Sequence, residues 1–215
     1  PRLHVDCVQA AGKIPFNLNY KGLDSAAFSA HKICGPRGIG IFYSKNAPET
    51  FLRGGGQEKG IRSGTENVYG ALAFSRCLEK YYISSQNKNM EERFYEQKKY
   101  CGEFISGLTQ LECCSIIPKS RPEKMDLYSP WIVQASFKNI PGQVLLRALD
   151  AEGFYISTGS ACSSRKNNRP VLKAMHVTQD ESETAVRFSF GSETTENAMK
   201  ELLAKVREIA GKFNS

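Results

Sequence analysis

The chain has 215 residues, 40% of them apolar and 24% charged, with a formal net charge of +7. That is enough apolar matter for a core in one large or two small domains, and no apolar run approaches the ~20 residues of a membrane span. The basic residues are dispersed, with no run of five and no aromatic interleaving, so no nucleic-acid or membrane partner is expected and a basic cytoplasmic protein is favoured. The chain opens directly on the strand-like "LHVDCV" with neither an initiator Met nor a signal-peptide pattern, which raises the expectation of a fragment or processed piece. Its cysteines number seven, an odd count, and none are in C-x-x-C spacing. This favours free thiols in a reducing compartment over a disulfide framework or a structural zinc site.

In chain order, residues 3–8 predict a strand, 26–29 a second and 38–43 a third, with the Gly/Pro turn "HKICGPRG" between the last two. The glycine-rich "RGGGQEKGIRSG" at 53–64 predicts an irregular loop. A helix is expected from Thr65, with Thr65 as N-cap, Glu66 in the first turn and an apolar face of Val68, Leu72 and residues 74–78. The polar stretch 84–89 breaks the pattern. Met90, Phe94, Cys101, Ile105 and Leu108 then recur at helical spacing. Strands are expected at 115–117 and 131–137, followed by a helix over 141–152 with Pro at its start and Gly153 just past its end. After the loop "ISTGSACSSRKNNR" come a short helix at 170–175, a strand at 185–190 and an amphipathic helix at 194–213. Alternating strands and helices predict an α/β or α+β protein, divided near residue 84.

Four places carry candidate chemistry. Asp6 ends an apolar strand, where a carboxylate is costly unless it meets a cation or donor; a turn-capping aspartate is the plainer reading. His31 and Lys32 follow a strand, and strand ends are where α/β proteins build sites; a lysine there becomes a nucleophile when desolvated or close to other cations. A solvated loop lysine is the alternative. The glycine-rich loop before Thr65 can gather backbone N–H groups around an anion, or can simply connect. Cys162 sits among small residues with Arg165, Lys166 and Arg169 close behind. Those neighbours favour a reactive, accessible thiolate over an incidental thiol.

Taken in order, "HVDCVQAAGK", "SAHKICGPRGIGIFY", "GGGQEKGIRSGTENV", "STGSACSS" and "VRFSFG" resemble the pyridoxal-phosphate-dependent cysteine desulfurases of the class V aminotransferase family, in the group whose catalytic loop reads Ser-Ser-Gly-Ser-Ala-Cys. The resemblance runs the length of the chain. It implies the C-terminal part of a fold-type I large domain, a mainly parallel sheet with helices, over residues 1–84, and a small α+β domain with the catalytic cysteine loop over 85–215. It further implies that Lys32 forms the Schiff base with pyridoxal phosphate, that Asp6 pairs with the ring nitrogen and that Gln9 bonds the ring hydroxyl. Ser29 and His31 would bind the phosphate, and Thr65 the phosphate in the partner subunit of a homodimer. Arg187 would clamp the carboxylate of L-cysteine, and Cys162 would take its sulfur as a persulfide, leaving L-alanine.

The expected acceptor is a sulfur-acceptor protein such as an iron–sulfur scaffold, or tRNA thiolation. Thr158 stands where the family's loop has Ser, Cys7 and Cys34 replace other residue types, and the loop after Cys162 is about one residue shorter. The family's N-terminal portion, which supplies further cofactor contacts, does not precede the first strand, so the chain alone is expected to be weakly active or inactive. Two other readings compete: a selenocysteine lyase, and a non-catalytic fragment that serves dimerisation or partner docking.

Overall fold

The computed structural model describes residues 1–83, 89–159 and 169–214. The chain forms two compact units, Pro1–Phe94 and Tyr95–Ser215. The expected division near residue 84 lies at the edge of a segment outside the described residues.

The first unit is built on a three-stranded sheet, β1 (His4–Asp6), β2 (Ser25–Ser29) and β3 (Gly40–Ser44), in the order β1-β2-β3. β1 and β2 are parallel with Val5 opposite Ala26, and β3 returns antiparallel with Ser29 opposite Gly40. Helix α1 (Val68–Leu78) follows, extended by a π-turn over Glu79–Ile83. Its core is small: Ala11, Ala30, Ile33, Phe74 and Tyr81 in one cluster, and Cys7, Leu23 and Ala26 in another.

Two expectations for α1 are corrected. Its N-cap is Asn67, whose Oδ1 accepts from the Gly70 amide at 2.9 Å; Thr65 lies before the helix, and no acidic residue occupies the first turn. Asn fits this position because its short side chain reaches a free amide of the first turn. The apolar face also points only partly inward. Phe74 is buried, but Val68 and Leu72 are 67% and 58% exposed.

Helix α2 (Met90–Thr109) starts in the first unit and continues through the second. Its Arg93, itself buried, donates to the Tyr81 carbonyl and lies over that ring. The second unit holds the antiparallel sheet β4 (Cys114–Ile117), β5 (Ile132–Phe137) and β6 (Ala185–Ser189), in the order β4-β5-β6.

Helix α3 (Gly142–Ala151) ends as expected on Gly153, whose φ of +82 a side chain would strain. α4 (Pro170–Ala174) and α6 (Glu196–Asn214) also match the sequence. The five-residue α5 (Gln179–Glu183) is an addition, held by a capping box between Thr178 and Glu181. Phe104, Phe137 and Phe188 meet edge to face, with ring centres 5.2 and 6.5 Å apart, in a core with Leu145, Leu149 and Val206.

Candidate functional site

The parallel pairing of β1 and β2 sets the site. Asp6 lies opposite Ala27, so the chain leaves both strands at the same sheet edge. Ligands of α/β sheets collect at such carboxyl ends.

Past β1 the chain closes a tight turn. Cys7 donates to the Ala27 carbonyl at 2.9 Å, and the amides of Ala10 and Ala11 both return to the Cys7 carbonyl at 3.0 Å. Oδ1 of Asp6 accepts from the Val8 amide at 2.9 Å, so the turn-capping role is present while the carboxylate stays exposed. Gly12 has φ +67, and a Cβ there would come within 3.2 Å of Ile33 and Tyr81, so the turn requires glycine. Gln9 is exposed on this turn, and its Oε1 accepts from Lys13 Nζ at 2.9 Å.

Past β2, Ala30–Ile33 make a single 3-10 turn. Ala30 and Ile33 are buried at its two ends, which leaves His31 and Lys32 on its exposed side. Ser29 precedes the turn and makes no capping bond with its side chain. Cys34 closes it in the left-handed conformation, with its amide and that of Gly35 returning to the Ala30 carbonyl. Local sequence dictates this: the small Ala and the branched Ile anchor, and the polar pair between them faces outward.

The charges on this edge interact. Burial holds the Lys13 ammonium below its ordinary value of 10.5; the Lys32 charge pushes the same way, and Cys34 opposes both. The buried Cys7 thiol is pushed up by desolvation and then by the Asp6 carboxylate. One sheet edge therefore carries Asp6, Gln9, Lys13, Ser29, His31 and Lys32. Lys13 is the residue to which the sequence reading assigned nothing. Its signal was the four-residue spacing from Gln9, which acquires meaning only once the turn closes.

Thr65 is also in the first unit, exposed at the end of the glycine-rich loop. It lines a cavity of about 640 Å³ together with Gly40, Phe42, Glu58, Arg62 and Phe74. The loop is irregular as expected, tied by Thr50 Oγ1 to the Gly60 carbonyl at 2.9 Å and by the Gly64 amide to Gln57 Oε1 at 3.3 Å.

Arg187 lies in the second unit, at the centre of β6 opposite Gln134. On its other side it forms a bridge to Ser157, with the Ser157 amide donating to the Arg187 carbonyl at 3.1 Å. Its Nε is buried without a hydrogen-bond partner among the described residues. Gln143 Nε2 holds Thr158 Oγ1 at 2.9 Å, and Arg169 donates to the carbonyls of Ser182 and Ala185. Cys162 lies outside the described residues.

The family model described as aminotransferase class-V matches residues 2–202. A NifS/IcsS protein homolog of Lactobacillus delbrueckii subsp. bulgaricus is 34% identical over 215 residues, covering 98% of this chain and 54% of that protein. A cysteine desulfurase IscS of Dictyoglomus turgidum is 32% identical, covering 99% and 52%. Among solved structures, a NifS-like protein matches with a TM-score of 0.74 at 34% identity, over 98% of this chain and 52% of its own. The cysteine desulfurase CsdA of Escherichia coli matches with a TM-score of 0.77 at 20% identity over 99% of this chain and 52% of its own, which speaks to the fold alone. The chain spans about half the length of the curated relatives it matches. With the family model covering nearly all of its residues, and the fold shared with NifS-like proteins, this chain belongs to the class-V aminotransferase family.

Proposed function

We propose that the chain is part of a pyridoxal-phosphate-dependent cysteine desulfurase, which converts L-cysteine to L-alanine and carries the sulfur away on Cys162. The observation that supports this most is the gathering of Asp6, Gln9, His31 and Lys32 at the carboxyl edge of one parallel strand pair. The donor set suits pyridoxal phosphate group by group. Lys32 offers an amine for the aldehyde, Asp6 a carboxylate for the ring nitrogen, Gln9 an amide for the ring hydroxyl, and Ser29 and His31 polar groups for the phosphate. When bound, the cofactor supplies a carbonyl carbon for the substrate's nitrogen and a ring that draws electrons from Cα.

The chain's own residues do the rest. Asp6 keeps the proton on the ring nitrogen. Lys32 would hold the cofactor and, as a free amine, would move the Cα proton of the substrate. Arg187, whose Nε is buried and unpaired among the described residues, receives the substrate carboxylate; its planar fork suits that group. The Cys162 thiolate attacks the sulfur of L-cysteine. The carbon–sulfur bond breaks, a sulfur–sulfur bond forms, and the carbon takes a proton, so that cysteine plus thiol becomes alanine plus persulfide without an external oxidant. Thr65, exposed on its loop, serves the cofactor phosphate of the partner subunit in a homodimer. The enzyme works in the cytoplasm and delivers its sulfur to an acceptor protein such as an iron–sulfur scaffold, or to tRNA thiolation.

The reading is tested by incubating the chain with pyridoxal phosphate, reducing with borohydride and mapping the peptides. A phosphopyridoxyl group on Lys32, absent from Lys32→Ala, is the expected result. A label on Lys13 instead, or no lysine label at all, would overturn it.

A further inference from the structure

The side-chain amide of Gln9 has an acceptor half and a donor half, and a ligand meets whichever one is left over. Lys13 decides which. A lysine ammonium has three donors and no acceptor, so at 2.9 Å it can only engage the amide oxygen. This follows from the chemistry of lysine, whichever way round the amide is placed. The two residues are brought together by the turn after β1. There Lys13 N donates to the Ala10 carbonyl at 3.0 Å, and Gly12 takes the left-handed conformation that returns the chain toward Gln9. Lys13 is half-buried while Gln9 is exposed, so the lysine supports the amide from within and leaves the amide accessible.

We propose that Lys13 is a positioning residue: by holding Oε1 of Gln9 it keeps the Gln9 NH2 group as the half that faces a ligand, and so selects a ligand with an acceptor oxygen there. This rests on the functional reading above, in which that oxygen is the ring oxygen of pyridoxal phosphate. Without Lys13 the amide is free to turn over and present its own oxygen, which repels such an acceptor.

The test compares binding of pyridoxal phosphate with binding of its deoxy analogue, which lacks the ring hydroxyl, to the native chain and to Lys13→Met and Lys13→Arg, by equilibrium dialysis. Lys13→Met should weaken pyridoxal phosphate about fivefold, the worth of one hydrogen bond, and leave the analogue's affinity relative to the native chain far less affected. Lys13→Arg, also donor-only, should restore most of the loss. Because both ligands carry the phosphate, an equal loss for both means that Lys13 acts only through its charge or through the fold, and overturns the proposal. A second measurement needs no ligand. The side-chain amide NMR signal of Gln9, assigned with Gln9→Asn, should shift on Lys13→Met, and a signal that ignores the substitution also overturns the proposal. A native chain that retains no pyridoxal phosphate, with the Gln9 signal still responding to Lys13, instead overturns the functional reading.

Discussion

Two arginines in the second unit differ in what their guanidinium groups bond. Arg121 is 5% exposed, and its Nη2 donates to the Ser129 carbonyl at 2.8 Å and lies 3.6 Å from Cys101 Sγ, with the guanidinium over the Tyr128 ring. It ties a loop to a helix. Arg187 shares with Arg121 a buried Nε that has no hydrogen-bond partner among the described residues, but among those residues its guanidinium has no counterpart to the Arg121 Nη2 bonds. An unpaired buried donor is a cost of about 1–3 kcal/mol at either position, and only at Arg121 do other bonds of the same guanidinium offset it. Arg187→Met should therefore leave stability unchanged or raise it, while Arg121→Met should lose about 2 kcal/mol, both read from urea unfolding of the chain. Equal losses at the two positions would make Arg187 another structural tie. The sequence offers a signal wherever a single side chain stands at a strand end, as with Asp6 and Lys32, and the structure places both at the carboxyl edge of β1 and β2. Lys13 was not legible, because its partner is chosen by a turn that exists only in three dimensions.

The helices show the same division. Those with sustained 3.6-residue periodicity, α2 and α6, were readable from the sequence. α5 was missed because five residues carry no periodicity, although Thr178 and Glu181 spell its capping box. α1 was readable as a helix but not in its start. Thr65 and Asn67 are both good caps by type, and only geometry distinguishes them: Asn67 Oδ1 reaches the Gly70 amide, while Thr65 lies in the loop. Asn67→Ala should cost about 1 kcal/mol of stability and lower the melting temperature followed by circular dichroism. Thr65→Ala should leave it unchanged. If Thr65→Ala proves the more damaging of the two, the helix begins where the sequence pattern first suggested. The apolar face of α1 was misread for a different reason. Periodicity reports that Val68 and Leu72 share a side of the helix, and cannot report whether that side meets the unit's own core.

At the scale of the molecule, the two units differ in how much they bury. Of the twelve largest fully buried side chains among the described residues, only Phe74 belongs to the first unit; the rest, among them Phe104, Phe137, Phe188, Leu145 and Leu149, fill the second. The first unit also leaves Phe51 95% and Tyr69 88% exposed, and all three residues of β1 are exposed. Apolar surface of that kind is left uncovered by the described residues of the unit. Within the chain it means that fewer apolar contacts oppose opening of the first sheet than of the second. Native-state hydrogen exchange should show this directly. Amides in β5 and β6, flanked by the fully buried Val133, Ala135, Val186 and Phe188, should exchange last and only through global unfolding. Those of β1 and β3 should exchange earlier, by an opening with a smaller dependence on denaturant. That ordering would place the edge that carries Asp6 and Lys32 on the less stable unit and Arg187 on the more stable one. Equal protection in the two sheets would show instead that the first unit draws its stability from something other than its own small core.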